Sequence, residues 1–464
     1  MNGGLSAGVE PRRHGRSSRT TWAAALILVA LTLLATAEAA PAQVARPNIL
    51  IILTDDQRAE GTMDVMPQTK SWFEAGGTKF PLAFATTPGC CPSRSSIFSG
   101  RYVHNHGVRQ NDNSQSLDQR FTMQEYLKQS GYRTALFGKY LNAWNLFRNP
   151  ASFDDWSINT AGYSPIKVNE NGVVKTITQY ATSYFRDNAL RFLNESEAQD
   201  ATPWFLEVST TAPHAPFTPD TPYANASVPA FNQPPNYFEA DKTDKPVFIQ
   251  NLNADPASIE ATRVGMLRTL YSVDDLVGSV FANLQANGEL SNTLAIFMSD
   301  NGYEWGEHGL DFKGDAYDDS VRIPMYMWWP GHVVAGATDN RLVANIDIAP
   351  TVADAVGGLP VMLPMDGRSM LAPAPTRSRI LLEWYAANGG LGWGALRTAT
   401  SHYIEHYDLI DNQTIKYREY YDLTNDPWEM NNLLGDGNAA NDPNTAALSA
   451  QLAQDRACSG AACP

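Results

Sequence analysis

The sequence predicts an α/β protein: a mixed, largely parallel sheet flanked by helices, followed by a small C-terminal α+β domain. Three observations carry this expectation. The apolar run 49–53, ILIIL, and similar runs at 204–208 and 293–298 are hydrophobic at every position, as in strands buried on both faces of a parallel sheet. Helical patterns alternate with these runs, which is the order of β-α-β units. Beyond the Pro-rich stretch 364–375 the pattern changes to short β-type segments at 379–384, 394–398, 402–406 and 417–421, separated by polar turns as in an antiparallel sheet.

Taken in order, the N-terminus reads as an export signal over residues 1–40: Arg12, Arg13, Arg16 and Arg19, an apolar run from Trp22 to about Thr36, then small residues around Ala37, Ala39 and Ala40. The run is too short to favour a membrane span, so no stable span is expected after cleavage. With 464 residues the chain exceeds one ordinary core, and the expected division is a main domain over 46–363 and a small domain over 376–464.

The first strand ends in Asp55-Asp56, and open α/β sheets bind ligands just outside the carboxyl ends of their strands. A turn with one helix-capping acid would explain either residue, but two adjacent acids lean toward a cation. A helix over 66–75 follows. The densest chemistry lies in 86–109, TTPGCCPSRSSIFSGRYVHNHGVR. Pro92 suits the first turn of a helix, so Cys90 and Cys91 fall at a helix N-terminus, where the dipole and free N–H groups stabilise an anion. Arg94 returns to the same side one turn later. Two small buried thiols would be the plainer reading. His104 and His106 either reach a ligand or satisfy backbone groups near the helix end.

A helix over 122–129 and a strand over 133–137 deliver Lys139 to another strand end. Residues 145–176, rich in Asn, Gly and Pro, read as irregular loops, and 177–195 as a helix. The strand 204–208 runs into Ala-Pro-His-Ala-Pro, which fixes His214 between prolines. Residues 216–256 read as a long loop and 256–284 as the longest helix. The strand 293–298 ends in Asp300-Asn301, repeating the pattern of Asp55-Asp56, and a Gly-rich loop then carries His308 and Lys313. A strand over 324–329 and a helix over 346–356 complete the main domain.

Four strand ends therefore supply Asp55, Asp56, Lys139, His214, Asp300 and Asn301. An acid-plus-amide set suits a hard cation, Ca²⁺ first and Mg²⁺ second. The net charge is −15, and removing residues 1–40 takes away four Arg and two Glu to leave about −17. That balance disfavours nucleic acid as a partner, and with no Lys/Arg cluster outside the signal it also disfavours a broad track for a long polyanion. Cys458 and Cys463 are close enough to close a small disulfide loop, which an exported protein permits.

Cys90-Cys91-Pro92-Ser93-Arg94, followed by Ser99-Gly100-Arg101, resembles the C-x-P-S-R signature of the sulfatase family. GKYLN at 138–142, APH at 212–214, SVDD at 272–275, DNG at 300–302, RIP at 322–324 and YDLTNDPWEMNNL at 421–433 extend the likeness along the whole chain after the signal. The CCPSR, YVHNH and GKYLN segments are most similar to the branch of N-acetylglucosamine-6-sulfatases and heparan-sulfate 6-sulfatases. The resemblance implies an alkaline phosphatase-like fold with 46–363 as the catalytic domain. It implies that a formylglycine-generating enzyme converts Cys90, not Cys91, to formylglycine (3-oxoalanine), and that Asp55, Asp56, Cys90, Asp300 and Asn301 hold the metal. Arg94, Lys139 and Lys313 are then expected to neutralise sulfate oxygens. Many arylsulfatases carry a His where this chain has Leu141, so His214, and after it His308, are the candidate acids for the leaving group. The implied substrate is a sulfated saccharide or another sulfate ester, met outside the cytoplasm. Alternatives are an arylsulfatase, a phosphate or phosphonate ester hydrolase on the same fold, and an inactive secreted glycan-binding protein. Asn194, Asn225 and Asn412 lie in glycosylation sequons.

Overall fold

The computed structural model describes residues 1, 8–10, 46–199, 201–358, 364–373, 377–385, 392–408, 410–411 and 414–464. The export signal, but for four of its residues, and the sequon residue Asn412 lie outside them, as do residues 374–376 at the boundary of the expected small domain. Arg46–Pro464 forms one compact unit.

Its centre is the strand Asn48–Asp55, every residue of which is buried. It lies within a ten-stranded sheet ordered Ala337–Thr338, Thr78–Lys79, Met325–Trp328, Thr293–Ser299, Asn48–Asp55, Trp204–Pro213, Arg133–Lys139, Asp155–Asn159, Ile166–Glu170 and Val173–Ile177. The central strand pairs in parallel with Thr293–Ser299 on one side and Trp204–Pro213 on the other, and Arg133–Lys139 continues the parallel set. Met325–Trp328 is antiparallel to Thr293–Ser299. The sheet is thus mixed and largely parallel, as its uniformly apolar strands predict. Alternate residues of the central strand feed two cores: Leu50 and Ile52 join the long helix Pro256–Asn287 and the helix Ala181–Glu197, whereas Ile49, Ile51 and Leu53 meet the helix Cys90–Ser99.

The C-terminal part is a four-stranded antiparallel sheet, Ile380–Trp384, Gly392–Arg397, Ser401–Tyr407 and Ile415–Asp422, with the helix Thr445–Asp455. Cys458 and Cys463 are disulfide-bonded beyond that helix, while Cys90 and Cys91 are free.

Two expectations need correction. Residues 145–176 are not an irregular loop but carry the strand Asp155–Asn159, which pairs in parallel with Arg133–Lys139, and then Ile166–Glu170 and most of Val173–Ile177, which extend that edge of the sheet in antiparallel fashion. The helix placed at 177–195 starts instead at Ala181, because the preceding residues are spent on the last of these strands. The segment 66–75 is helical but winds from an α-turn, Pro67–Thr69, into a π-helical turn, Lys70–Ala75.

Candidate active site

The strand ends converge as the order of the sheet requires. Asp55 closes the central strand, and Asp56 follows it with φ 69°. This left-handed conformation is one that Asp tolerates better than most residues but that still costs energy, and it appears here at the strand end. Asp300 follows the adjacent parallel strand, and its backbone N–H donates to Thr54 O at 3.1 Å, stitching the two ends together. Gly138 sits one residue before Lys139 with φ +127°, and a Cβ there would lie 1.7 Å from Ser209 O. Only glycine permits the approach of the two strands that carries Lys139 into the centre.

Cys90 begins the helix Cys90–Ser99, all ten residues of which are buried. Asn111 Oδ1 accepts the Cys91 N–H at 2.9 Å and so satisfies one of the helix's free donors. The Cys90 Sγ lies 3.5 Å from Asp55 Oδ1 and 3.9 Å from Asp56 Oδ1, and Lys313 Nζ approaches it at 2.8 Å. Burial raises the thiol to about 12 despite Lys139 and Lys313. The side chain as encoded is therefore a protonated thiol and not an activated thiolate.

Around it the charges interlock. Lys139 Nζ donates to Asp55 Oδ2 at 2.5 Å. Burial alone would lift the Asp55 carboxyl, but Lys139, then His214 and Arg94, hold it below its usual range. Lys313 donates to Asp56 Oδ1 and, at 3.2 Å, to Asn301 Oδ1; burial opposes its charge, yet Asp56 and the other acids hold it well above the usual lysine range. Asn301 Nδ2 donates to Asp56 Oδ1 at 2.8 Å.

Arg94 is fully buried, and its contacts show that it is first a strut. Nε donates to Asp300 Oδ2 at 2.8 Å, while Nη1 donates to Lys139 O at 2.8 Å and to Ser209 Oγ at 2.6 Å. Three strands of the sheet are thereby tied to one guanidinium. Its Nη2 has no hydrogen-bond partner and lies 3.9 Å from Asp55 Oδ1.

His214 keeps a quarter of its side chain exposed and sets Nε2 3.8 Å from Asp56 Oδ2. Its Nδ1 lies 2.7 Å from Ala215 O, a carbonyl that can only accept, so Nδ1 carries hydrogen and Nε2 is the nitrogen left to exchange a proton. His308 is elsewhere. It is fully buried, with Nδ1 2.6 Å from Glu239 Oε2 and its ring against Tyr317, and none of its hydrogen-bond partners belongs to the Cys90 cluster. Its sequence position in the Gly-rich loop misleads because the backbone turns inward there, with positive φ at Gly306, His308 and Gly309. As a proton donor to a leaving group it is set aside.

His104 and His106 take the backbone-and-packing alternative. His104 Nδ1 lies 2.9 Å from Glu383 Oε1 and Nε2 2.9 Å from Cys458 O. His106 Nε2 is 3.0 Å from Ser96 Oγ, and burial, with Arg101, lowers it to about 3. Several supporting residues carried no motif. Ser93 Oγ donates to Asp300 O and itself accepts from Asn345 Nδ2 at 2.9 Å. Glu207, two residues before Ser209 on the same strand face, is buried with both carboxyl oxygens unpaired, and burial lifts it to about 8 despite Arg94. An acid inside an otherwise apolar strand, WFLEV, was the available signal for it.

One atom each from Asp55, Asp56, Cys90 and His214 lies within 4.8 Å of the others. The Lys313 ammonium occupies the point where Asp56 Oδ1, Asn301 Oδ1 and Cys90 Sγ converge, so these donors already gather around a positive charge. The donor chemistry fits an oxygen-loving metal ion. Asp300 is the least available member of the expected set, because Oδ1 accepts the Asp56 N–H at 3.2 Å and Oδ2 accepts from Arg94.

With this geometry described, the relatives can be placed. A family model described as sulfatase matches residues 47–358. The chain belongs to the sulfatase family. A model described as N-sulphoglucosamine sulphohydrolase, C-terminal, matches residues 306–457. An extracellular sulfatase SULF-1 homologue of Drosophila melanogaster is 37% identical over 73% of this chain, and the match spans only 32% of that longer protein. The N-acetylglucosamine-6-sulfatase of Capra hircus is 29% identical over 84% of this chain and 80% of its own length. Among solved structures, one determined in complex with its substrate D-glucosamine-2-N,6-O-disulfate superposes with a TM-score of 0.76 at 23% identity, covering 89% of this chain and 98% of the other. The phosphonate monoester hydrolase of Silicibacter pomeroyi superposes with a TM-score of 0.70 at 20% identity, covering 89% and 95%. Both likenesses speak to the fold, the mixed sheet of the alkaline phosphatase-like class, and not to the substrate. No helix among the described residues is long and apolar enough to cross a membrane.

Proposed function

We propose that this sulfatase hydrolyses sulfate monoesters of sugars outside the cytoplasm, with the 6-sulfate of N-acetylglucosamine or glucosamine as its substrate. The observation that carries the reading is the Cys90 side chain, presented at the head of a buried helix against Asp55, Asp56 and Lys313, within the CCPSR segment. The N-acetylglucosamine-6-sulfatases among the relatives support the sugar, and the extracellular relatives support export. The proposed maturation is conversion of Cys90 to formylglycine by a formylglycine-generating enzyme. Asp55, Asp56 and Asn301, with Asp300 behind them, would hold Ca²⁺, since a flexible all-oxygen set suits the larger ion better than Mg²⁺.

A hydrated aldehyde at position 90 supplies a geminal-diol nucleophile, and the cation supplies the charge that favours its ionised form. The chain's own residues do the rest. Asp55 and Asp56 sit against the attacking atom's position, and their carboxylates accept hydrogen bonds from Lys139 and Lys313 respectively. Lys313 and Lys139 bring positive charge to the place where sulfate oxygens gather charge. Arg94 contributes one free Nη2 and otherwise fixes the strand ends. His214, whose Nδ1–H is spent on Ala215 O, would in its doubly protonated form give the Nε2 proton to the departing sugar oxygen and so return to the neutral ring.

The test compares turnover of N-acetylglucosamine-6-sulfate, heparin oligosaccharides, a nitrophenyl sulfate and a nitrophenyl phosphate by protein whose Cys90 conversion has been verified by peptide mass spectrometry. The sugar 6-sulfate should be preferred. Preference for the phosphate would overturn the reaction class, and cleavage of the aryl sulfate alone would remove the sugar.

A further inference from the structure

The loops that leave the two acidic strand ends do not stop at the catalytic centre. Two residues past Asp56 stands Arg58, and four past Asn301 stands Trp305, and both line a separate cleft of about 480 Å³. Its other walls come from the long loop at Pro229–Pro234, from Arg263 of the helix Pro256–Asn287, from Arg322, and from Pro427 and Trp428 of the C-terminal part. We propose that this cleft is a second, non-catalytic saccharide site that takes an uncharged pyranose ring of a glycan.

Three observations point to that ligand class. First, the walls carry aromatic surface. Trp428 is 38% exposed, an unusual position for so large an apolar side chain, and Phe231 is half-buried, backed edge to face at 5.7 Å by Trp305, which is itself buried with its N–H directed to Met266 Sδ. Flat aromatic surface of this kind takes up the apolar C–H face of a sugar ring, and tryptophan adds an N–H.

Second, the polar groups are fixed and internally neutralised. Arg58 is held by Glu307 at 2.9 Å and Asp319 at 2.7 Å, Arg263 by Glu260 at 2.8 Å, and Arg322 by Glu60 at 2.8 Å. Asp64 adds another acid, facing Lys70 at 3.8 Å. The lining itself has three arginines and two acids, and Glu307, Asp319 and Glu260 behind it offset the excess, so a sulfate or carboxylate finds every arginine already paired. Paired charges instead present rigid donors and acceptors to hydroxyl groups.

Third, Arg58 is 3% exposed and its Nε has no hydrogen-bond partner. That nitrogen is closed off from solvent, so the guanidinium serves the cleft as a fixed polar wall and not as a freely swinging cation. The guanidinium also lies over the Trp305 ring at 4.6 Å, which locks its plane.

The inference does not depend on the proposed sulfatase activity, and the experiment separates the two. Full-length Cys90→Ala protein is titrated with unsulfated chitotriose and cellotriose, followed by calorimetry and tryptophan fluorescence. At least one of the two should bind saturably, with little dependence on salt. Trp428→Ala and Phe231→Ala should each weaken binding by tenfold or more while circular dichroism at the assay temperature stays unchanged; the unfolding transition should stay in place for Trp428→Ala and fall for Phe231→Ala, whose ring packs on Tyr237 and Trp305. In protein with native Cys90, Trp428→Ala should leave turnover of a small nitrophenyl sulfate as it was. Absence of saturable binding of both sugars, binding that survives both substitutions, or a strongly salt-dependent preference for heparin disaccharides over both neutral sugars would overturn the proposal. Saturable binding in protein that hydrolyses no sulfate ester would leave the cleft standing and remove the activity.

Discussion

Two regions of this molecule bury ionised groups in quantity, and they do so for different ends. In the C-terminal sheet every buried carboxylate of the core is closed by short-range donors: Glu405 accepts from Tyr403 and Tyr407, each at 2.6 Å, and Glu419 accepts from Tyr317 at 2.9 Å and Tyr421 at 2.5 Å and faces His406 Nε2 at 2.6 Å. At the strand ends around Cys90 the carboxylates of Asp55 and Asp56 are matched by the ends of long lysine chains, and Arg94 Nη2 is left without a partner. Burial does not distinguish a working cluster from a structural one. An unpaired buried donor does not either, since His402 Nε2 and His406 Nδ1 also lack partners; what differs is that the acids around Cys90 face the ends of long lysine chains, whereas Glu405 and Glu419 are closed by tyrosine hydroxyls.

The sharpest way to break the comparison is at Cys90. Cys90→Ala should abolish measurable turnover and leave the urea unfolding transition nearly in place, because Lys313, the cation that approaches the sulfur, keeps its hydrogen bonds to Asp56 and Asn301. An active Cys90→Ala protein would mean that the cluster is not the working one. Next in size, exhaustive chelation of the purified protein should remove most turnover, with Ca²⁺ restoring it better than Mg²⁺; full activity with no metal found by elemental analysis would contradict the assignment of Asp55, Asp56 and Asn301.

The opposite response is expected from the C-terminal sheet. Glu419→Ala strips the acceptor from two buried hydroxyls and leaves His406 without its carboxylate, and should cost roughly 3–5 kcal/mol of stability while the folded fraction keeps its kcat. Denaturant titration together with active-site counting checks both halves. The smallest effect sits where the two regions meet. His104 bridges Glu383 of the sheet and the carbonyl of Cys458, and although burial lowers its basicity, the hydrogen bond and charge of Glu383 raise it overall. A histidine raised in the folded state stabilises fully below its unfolded pKa near 6.5, and that contribution fades as pH climbs through the folded value. His104→Ala should therefore lose about 1.5–3 kcal/mol at pH 6 and progressively less in more alkaline buffer. A pH-independent loss would show that His104 acts by packing alone.

Much of this architecture is readable from residue pattern, and the failures have physical causes. Runs such as ILIIL announce central strands because nothing in them could face water, and acids directly after two such runs mark the site. The edge strands at 155–177 escape because they are short, rich in polar residues and broken by polar turns, and the last of them, Val173–Ile177, has no buried residue. A signal was nevertheless present: Asn171-Gly172, both at positive φ, is the pair that a tight hairpin prefers. His308 shows the reverse error, in which nearness to Lys313 in sequence suggested a shared site, whereas two glycines fold the ring into a different hydrogen-bonded cluster. The supporting roles of Ser209, Asn345 and Glu207 depend on contacts across more than a hundred residues or on a missing partner, neither of which has a local pattern.

The single guanidinium that joins Asp300, the Lys139 carbonyl and Ser209 has a consequence for how the site tolerates change. Neighbouring strands in a twisted sheet fan apart by an angle that depends on packing far away, so without a crosspiece the strand ends would drift whenever a distant core residue changed size. A planar ion with donors in fixed directions acts as a gauge bar across that fan, setting the separations by its own dimensions. Lysine, with one point of attachment, could not span the same three strands. The helices on either face are in this sense free to vary, provided that the bar stays in place.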